Sequence, residues 1–235
     1  MYGKELNERN PLRLFEHSIH GGLGRGNIGV VVARHGTGKT AFLVGIALDD
    51  AMRGRKVLHV SLDNPVDHLR EFYDEIFMDL AHAAHLEDLQ TERLEMERNR
   101  MIHTYAGKSF TIHKLRHSIK FLKEYAHFEP ECVILEGFDF ERASLEDMEA
   151  FRQLATEYNV EFWMSAVTHR GVPLDGRGIP EPVSKVAATI AVIVQMTDDH
   201  GGVHLSLLKD HDNPNVAKLT LALDPSTMLL VSSTT

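Results

Sequence analysis

The run Ala33-Arg34-His35-Gly36-Thr37-Gly38-Lys39-Thr40 brings two glycines, a lysine and a hydroxyl side chain into one short stretch. It fits the spacing G-x-x-x-x-G-K-[ST], with Ala33 where the first glycine usually stands. That spacing suits a phosphate. Loop N–H groups turned inward, together with a helix N-terminus, offer positive potential to anionic oxygens. Gly36 and Gly38 let the backbone come close without a Cβ clash. Lys39 is placed for the β- and γ-phosphates, and the Thr40 hydroxyl for Mg²⁺. Ala41 lies in the first helical turn, and Arg34 and His35 are expected to add positive potential near the phosphates. Alanine at position 33 is acceptable if its φ is negative. The bland alternative is a glycine turn with a chance Gly-Lys-Thr. It is the weaker reading because both flanking segments suit the motif.

Those flanks are a strand and a helix. Residues 28–33 are a short apolar run that reads as a buried strand, and residues 39–53 read as a helix ended by Gly54. A strand at 56–62 follows, then a long helix after Pro65 with apolar residues at i, i+3, i+4 and i+7. Residues 87–106 are densely charged at first and read as a solvated helical excursion, closed by Gly107. The pattern then predicts a short strand at 109–112, a helix at 113–126, a strand at 132–136, a helix at 144–158 and a strand at 160–166. Residues 171–183 hold three prolines and three glycines and read as a mobile loop. Strands at 189–196, 203–209 and 217–223 complete the chain. Strand and helix alternate and then give way to strands. The fold class is therefore α/β: a mostly parallel central sheet with helices on both faces and antiparallel strands at the C-terminal edge. With 235 residues, 43% of them hydrophobic, one domain spanning 1–235 is the natural expectation, residues 1–19 being an N-terminal extension.

With these elements in place, residues 20–223 resemble the RecA-like P-loop ATPase superfamily, in particular the branch of KaiC-like, RadA-like and DnaB-type proteins. A glycine-rich lead-in, His20-Gly21-Gly22-Leu23-Gly24-Arg25-Gly26, precedes the P-loop strand. The resemblance implies ATP and Mg²⁺ as cofactors. It puts Asp63 where the family has a catalytic glutamate, and Glu136 where it has the Walker B aspartate that holds Mg²⁺. It makes Thr168 and His169 the end of a sensor strand, and Lys209 and His211 the counterparts of a Lys-x-Arg pair that reaches a neighbour's γ-phosphate. The departures matter. Asp63 has a shorter arm with which to reach a water, and a neutral imidazole at 211 does not replace a guanidinium. Other readings stand beside these: Asp63 as a helix N-cap, Asp139 in place of Glu136, and His211 as a turn residue.

Composition narrows the functions. The net charge of −9 disfavours generic coating of nucleic acid, and the loop at 171–183 has no aromatic residue for base stacking. Cys132 is the single cysteine, so no intrachain disulfide can form. The N-terminus does not read as a secretory signal and no apolar run of about 18 residues occurs, so no membrane span and a cytoplasmic location are expected. Among fifteen histidines, the pairs His82/His85, His113/His117 and His200/His204 have ligand-like spacing but no evident third ligand. Three functions remain: a Mg²⁺-dependent ATPase with attenuated hydrolysis, a nucleotide sensor that signals to a protein partner, and a DNA-stimulated motor, which the charge disfavours. The resemblance also implies self-association into a ring or filament, while the missing arginine leaves a smaller oligomer, a monomer or dimer, as the alternative.

Overall fold

The computed structural model describes residues 11–105, 109–199 and 202–233. Its centre is a nine-stranded sheet in the order β3-β2-β4-β5-β1-β6-β7-β8-β9. These are β1 (Ile28–Ala33), β2 (Val57–Ser61), β3 (Arg100–Thr104), β4 (Cys132–Glu136), β5 (Glu161–Val167), β6 (Val192–Asp199), β7 (Gly202–Asp210), β8 (Leu221–Leu223) and β9 (Leu230–Ser232). The pairings from β3 through to β6 are parallel, and those from β6 to β9 are antiparallel. The mostly parallel sheet with an antiparallel C-terminal edge is thus present.

Helices cover both faces because the central strands are apolar on both. In β1, Val31 and Ala33 pack with α1 (Pro11–Ser18) and α2 (Lys39–Met52). Val30 and Val32 pack in the opposite core with α5 (Ile112–Tyr125) and α6 (Leu145–Tyr158). Side chains alternate between the faces with the period of a strand. Gly29 is the exception in β1. Trp163 is its neighbour on β5, and a Cβ on Gly29 would lie 2.5 Å from the indole ring.

Several expectations shift. The charged stretch contains a helix, α4 (Leu89–Asn99), but runs directly into β3, which the sequence did not suggest. β3 is the sheet's edge and only half-buried, so it lacks the apolar run that marks a central strand. The expected strand at 109–112 is absent: Thr111 instead caps α5, its hydroxyl accepting the Lys114 N–H at 3.1 Å. Part of the N-terminal extension is α1, which buries Leu12 and Phe15. The segment 171–183 is closed by a bridge between Leu174 and Pro180, and the Asp175 carboxylate accepts the N–H groups of Arg177 and Ile179. Gly107 and His200 lie outside the described residues. Among the described residues, no helix is long and apolar enough to cross a membrane.

Candidate functional site

β1 delivers the P-loop to the carboxyl end of the parallel strands. Ala33 is its last residue, paired with Val167, and its φ is not positive; left-handed geometry in the loop falls on Gly36 (φ 77°) and Gly38 (φ 94°). Alanine is therefore accommodated at position 33 as an ordinary strand residue. Gly38 is the N-cap of α2, no side chain caps the helix, and its first turn has no acidic residue. The helix thus presents its first N–H groups and its positive dipole end to a ligand. Thr37 and Ala41 are buried against the fold, whereas His35 and Gly36 are exposed and Arg34 is half-buried. The Lys39 amine lies back on its own loop, donating to the carbonyls of Arg34 (2.9 Å) and Ala33 (3.4 Å). Burial lowers its pKa, and the charge of Glu136 partly offsets this.

A cavity of about 630 Å³ opens here, lined by Lys39, Thr40, Asp63, Glu136, Ser165 and Met228 among others. β5 separates β1 from β4, yet the Thr40 Oγ1 donates to Glu136 Oε2 at 3.3 Å across that gap. Glu136 is 3% exposed, and its other oxygen is buried without a hydrogen-bond partner. A hydroxyl and an underused carboxylate suit Mg²⁺, which takes oxygen ligands and commonly needs only one or two from protein beside phosphates and waters. Among the described residues, no group of three or more His, Cys, Asp or Glu converges on one point, so the nucleotide's phosphates would have to supply further ligands.

Asp63 follows β2 and is exposed to the cavity. It is not the cap of the next helix, α3 (Val66–Ala83); Pro65 holds that place and makes no side-chain capping bond. Asp63 rests on Gly137, whose φ is 80° and whose absent Cβ would lie 2.5 Å from the carboxylate carbon. Gly137→Ala is therefore expected to displace Asp63 and strain the turn after Glu136, lowering any turnover by about 10-fold. Steady-state kinetics beside nucleotide titration would check this. Asp139 also lines the cavity, but its carboxylate accepts the N–H groups of Glu141 and Arg142.

Thr168 and His169 flank the P-loop side of the site, whereas Lys209 and His211 do not. The Thr168 hydroxyl donates to the Glu181 carbonyl at 2.7 Å, and its N–H to Ala33. His169 is exposed, 3.6 Å from Glu141. Lys209 and His211 sit at the far end of β7, opposite the amino end of β6 and away from the P-loop. The Lys209 amine donates to the carbonyls of Ala187 and Ile190. His211 is a turn residue with φ 50°, bonded to Asp210 and to the Leu23 carbonyl of the glycine-rich lead-in.

Asp210 is buried and gathers His20 (2.5 Å), His211 (2.8 Å) and Asn213 (3.3 Å). Burial alone would raise its carboxyl, but those hydrogen bonds hold it below the usual carboxylate range. A depressed folded pKa stabilises the fold above the unfolded value and loses that effect as pH falls through the folded one. Asp210→Asn should cost about 1–3 kcal/mol at neutral pH. The difference should shrink below about pH 4, as thermal melts across pH would report.

Sequence reasoning missed two neighbours of the site. Met228, from the turn between β8 and β9, lines the cavity, its sulfur 3.9 Å from where a Gly38 Cβ would lie. His59, in the middle of β2, is fully buried with Nε2 3.6 Å from Glu136 Oε2. A lone histidine inside an apolar strand was the available signal.

A family model described as an AAA domain matches residues 7–170. The chain belongs to that family. The match covers the P-loop, Asp63 and Glu136 and ends before β6, so Lys209 and His211 fall outside it. The AAA domain makes this a chain of the nucleotide-binding P-loop ATPase class. A comparison with curated proteins found no match.

Proposed function

We propose that this AAA-domain chain is a single nucleotide-binding unit that binds ATP with Mg²⁺ in the 630 Å³ cavity and hydrolyses it slowly. The observation that carries this is one cavity lined by an uncapped helix N-terminus, Lys39, the Thr40–Glu136 contact and Asp63. In this reading Lys39 leaves the Arg34 carbonyl for the β- and γ-phosphate oxygens, and Ala33 to Ala41 cradle the phosphates. Thr40 and Glu136 hold the cation, which would neutralise charge on the bridging phosphate oxygens. Asp63 orients a water and takes its proton. Strand order and the succession of motif positions favour the RecA-like branch.

Slow turnover is the reading because, among the described residues, no arginine lines the cavity, and His211 stands where the family pattern has an arginine that reaches a neighbour's phosphate. Arginine supplied to a phosphoryl-transfer site is worth about 10³-fold or more in rate. The same observation favours a second reading, a nucleotide sensor without turnover. ATP titration with and without Mg²⁺, with phosphate release followed in the same samples, decides between them. Binding with measurable release supports the ATPase. Binding without release supports the sensor, and no binding removes both.

A further inference from the structure

We propose that His59 is a positioning residue for Glu136: its buried Nε2–H closes onto the carboxylate and restrains the glutamate arm when a divalent cation binds. This rests on the Mg²⁺ site proposed above. His59 and Glu136 are diagonal neighbours on one face of the β2/β4 pair, where His59 pairs with Ile134 and Ser61 with Glu136. The imidazole is fully enclosed, and its Nδ1 lies 2.9 Å from the Tyr73 hydroxyl on α3. Tyr73 is itself fully buried, and burial pushes its phenol well above the ordinary value, so it keeps its proton. The Arg100 guanidinium lies over the Tyr73 ring at 4.3 Å. Tyr73 can therefore donate to Nδ1, which leaves the ring proton on Nε2, facing Glu136.

That donor is underused. Among the described residues the buried Nε2 has no hydrogen-bond partner, and its 3.6 Å to Glu136 Oε2 is longer than a hydrogen bond. Glu136 Oε2 accepts from Thr40, and Glu136 Oε1 has no hydrogen-bond partner among the described residues. A buried donor left without an acceptor costs free energy unless a further state satisfies it. Glu136 held against a cation at Thr40 would be that state. The Thr40 hydroxyl would give the cation a lone pair and still donate its O–H to Glu136. A shift of a few tenths of an ångström would let Oε2 accept from His59 Nε2–H as well. Oε1, which has no hydrogen-bond partner among the described residues, would stay open to the cation's waters. No bond is made or broken other than hydrogen bonds. The glutamate arm has one more rotatable bond than aspartate, and His59 restrains it.

Partners that orient a metal's ligands typically carry about 10–100-fold in metal affinity. The test uses the full chain with Mn²⁺ as the spectroscopic probe, titrated into its complex with a non-hydrolysable ATP analogue. His59→Phe keeps the ring volume and removes the donor; Mn²⁺ affinity should fall about 10-fold or more. Affinity for the analogue in EDTA should stay within about twofold, since His59 touches no part of the phosphate cradle. His59→Gln, which restores an N–H near the Nε2 position, should recover most of the loss. Unchanged Mn²⁺ affinity in His59→Phe, or His59→Gln as weak as His59→Phe, overturns the proposal. If His59→Phe does not fold, Tyr73→Phe decides. It should weaken Mn²⁺ binding by about threefold through a loosened imidazole, and no change overturns the proposal. The site proposed above fails separately, if the unmodified chain binds no analogue or binds it equally with and without the cation.

Discussion

Lys39→Ala is expected to weaken ATP binding by about 100-fold or more and to abolish phosphate release. The Lys39 amine sits at the head of α2, and among the described residues its hydrogen-bond acceptors are the Ala33 and Arg34 carbonyls. Both are weak competitors for an ammonium against a triphosphate. Burial already lowers its pKa, so the charged amine is under-compensated until an anion arrives. A hydrogen bond to a charged group contributes about 1.5–3 kcal/mol, and contacts to two phosphates would together account for a loss of about two orders of magnitude. The fold should not suffer. Arg34 is half-buried, so its carbonyl can be met by water, and the Ala33 carbonyl keeps the Thr168 N–H at 3.0 Å. An unchanged melting temperature without nucleotide, with loss of the thermal shift on adding ATP, is the expected pair of results. Wild-type affinity in this variant would remove the P-loop from the account of binding.

The parts of the fold that read well from sequence are those whose signal is local. β4 is matched residue for residue, because a central strand buried on both faces must be apolar throughout. The helix at 145–158 has its start written in Ser144 and Asp147, which cap it reciprocally. β3 fails that test. As an edge strand it carries Arg100, His103 and Thr104 and follows a charged helix without a break. Only its pairing with β2 makes it a strand. The functional residues divide in the same way. Gly36, Gly38, Lys39 and Thr40 are contiguous, so the loop they form is legible. The contact of Glu136 with Thr40 bridges 96 positions, and that of His59 with Glu136 depends on the register of β2 against β4. Neither distance follows from spacing along the chain. Lys209 and His211 lie at the other end of the sheet from this chain's own P-loop, because β7 runs antiparallel to β6. Their expected contact is to a neighbour's phosphate, which one chain does not test.

Asp63→Asn separates binding from chemistry. Asparagine has nearly the same volume and keeps one oxygen, so the packing against Gly137 survives. It loses the negative charge and the basic lone pair that a water's proton requires. General bases contribute about 10²–10⁴-fold to such reactions. A slow enzyme with a shortened arm belongs near the lower end, so phosphate release should fall by about 100-fold. ATP affinity should stay within about threefold, because no contact with the phosphate cradle is removed. Asp139 and Glu141 also line the cavity, and Asp139 is the alternative base. Its carboxylate already accepts two backbone N–H groups, which hold it in its own turn and occupy lone pairs that a water would need. Turnover that persists in Asp63→Asn and disappears in Asp139→Asn would reverse the assignment. Loss of activity in Asp63→Asn with binding intact would leave the exposed carboxylate on Gly137 as the group that meets the attacking water.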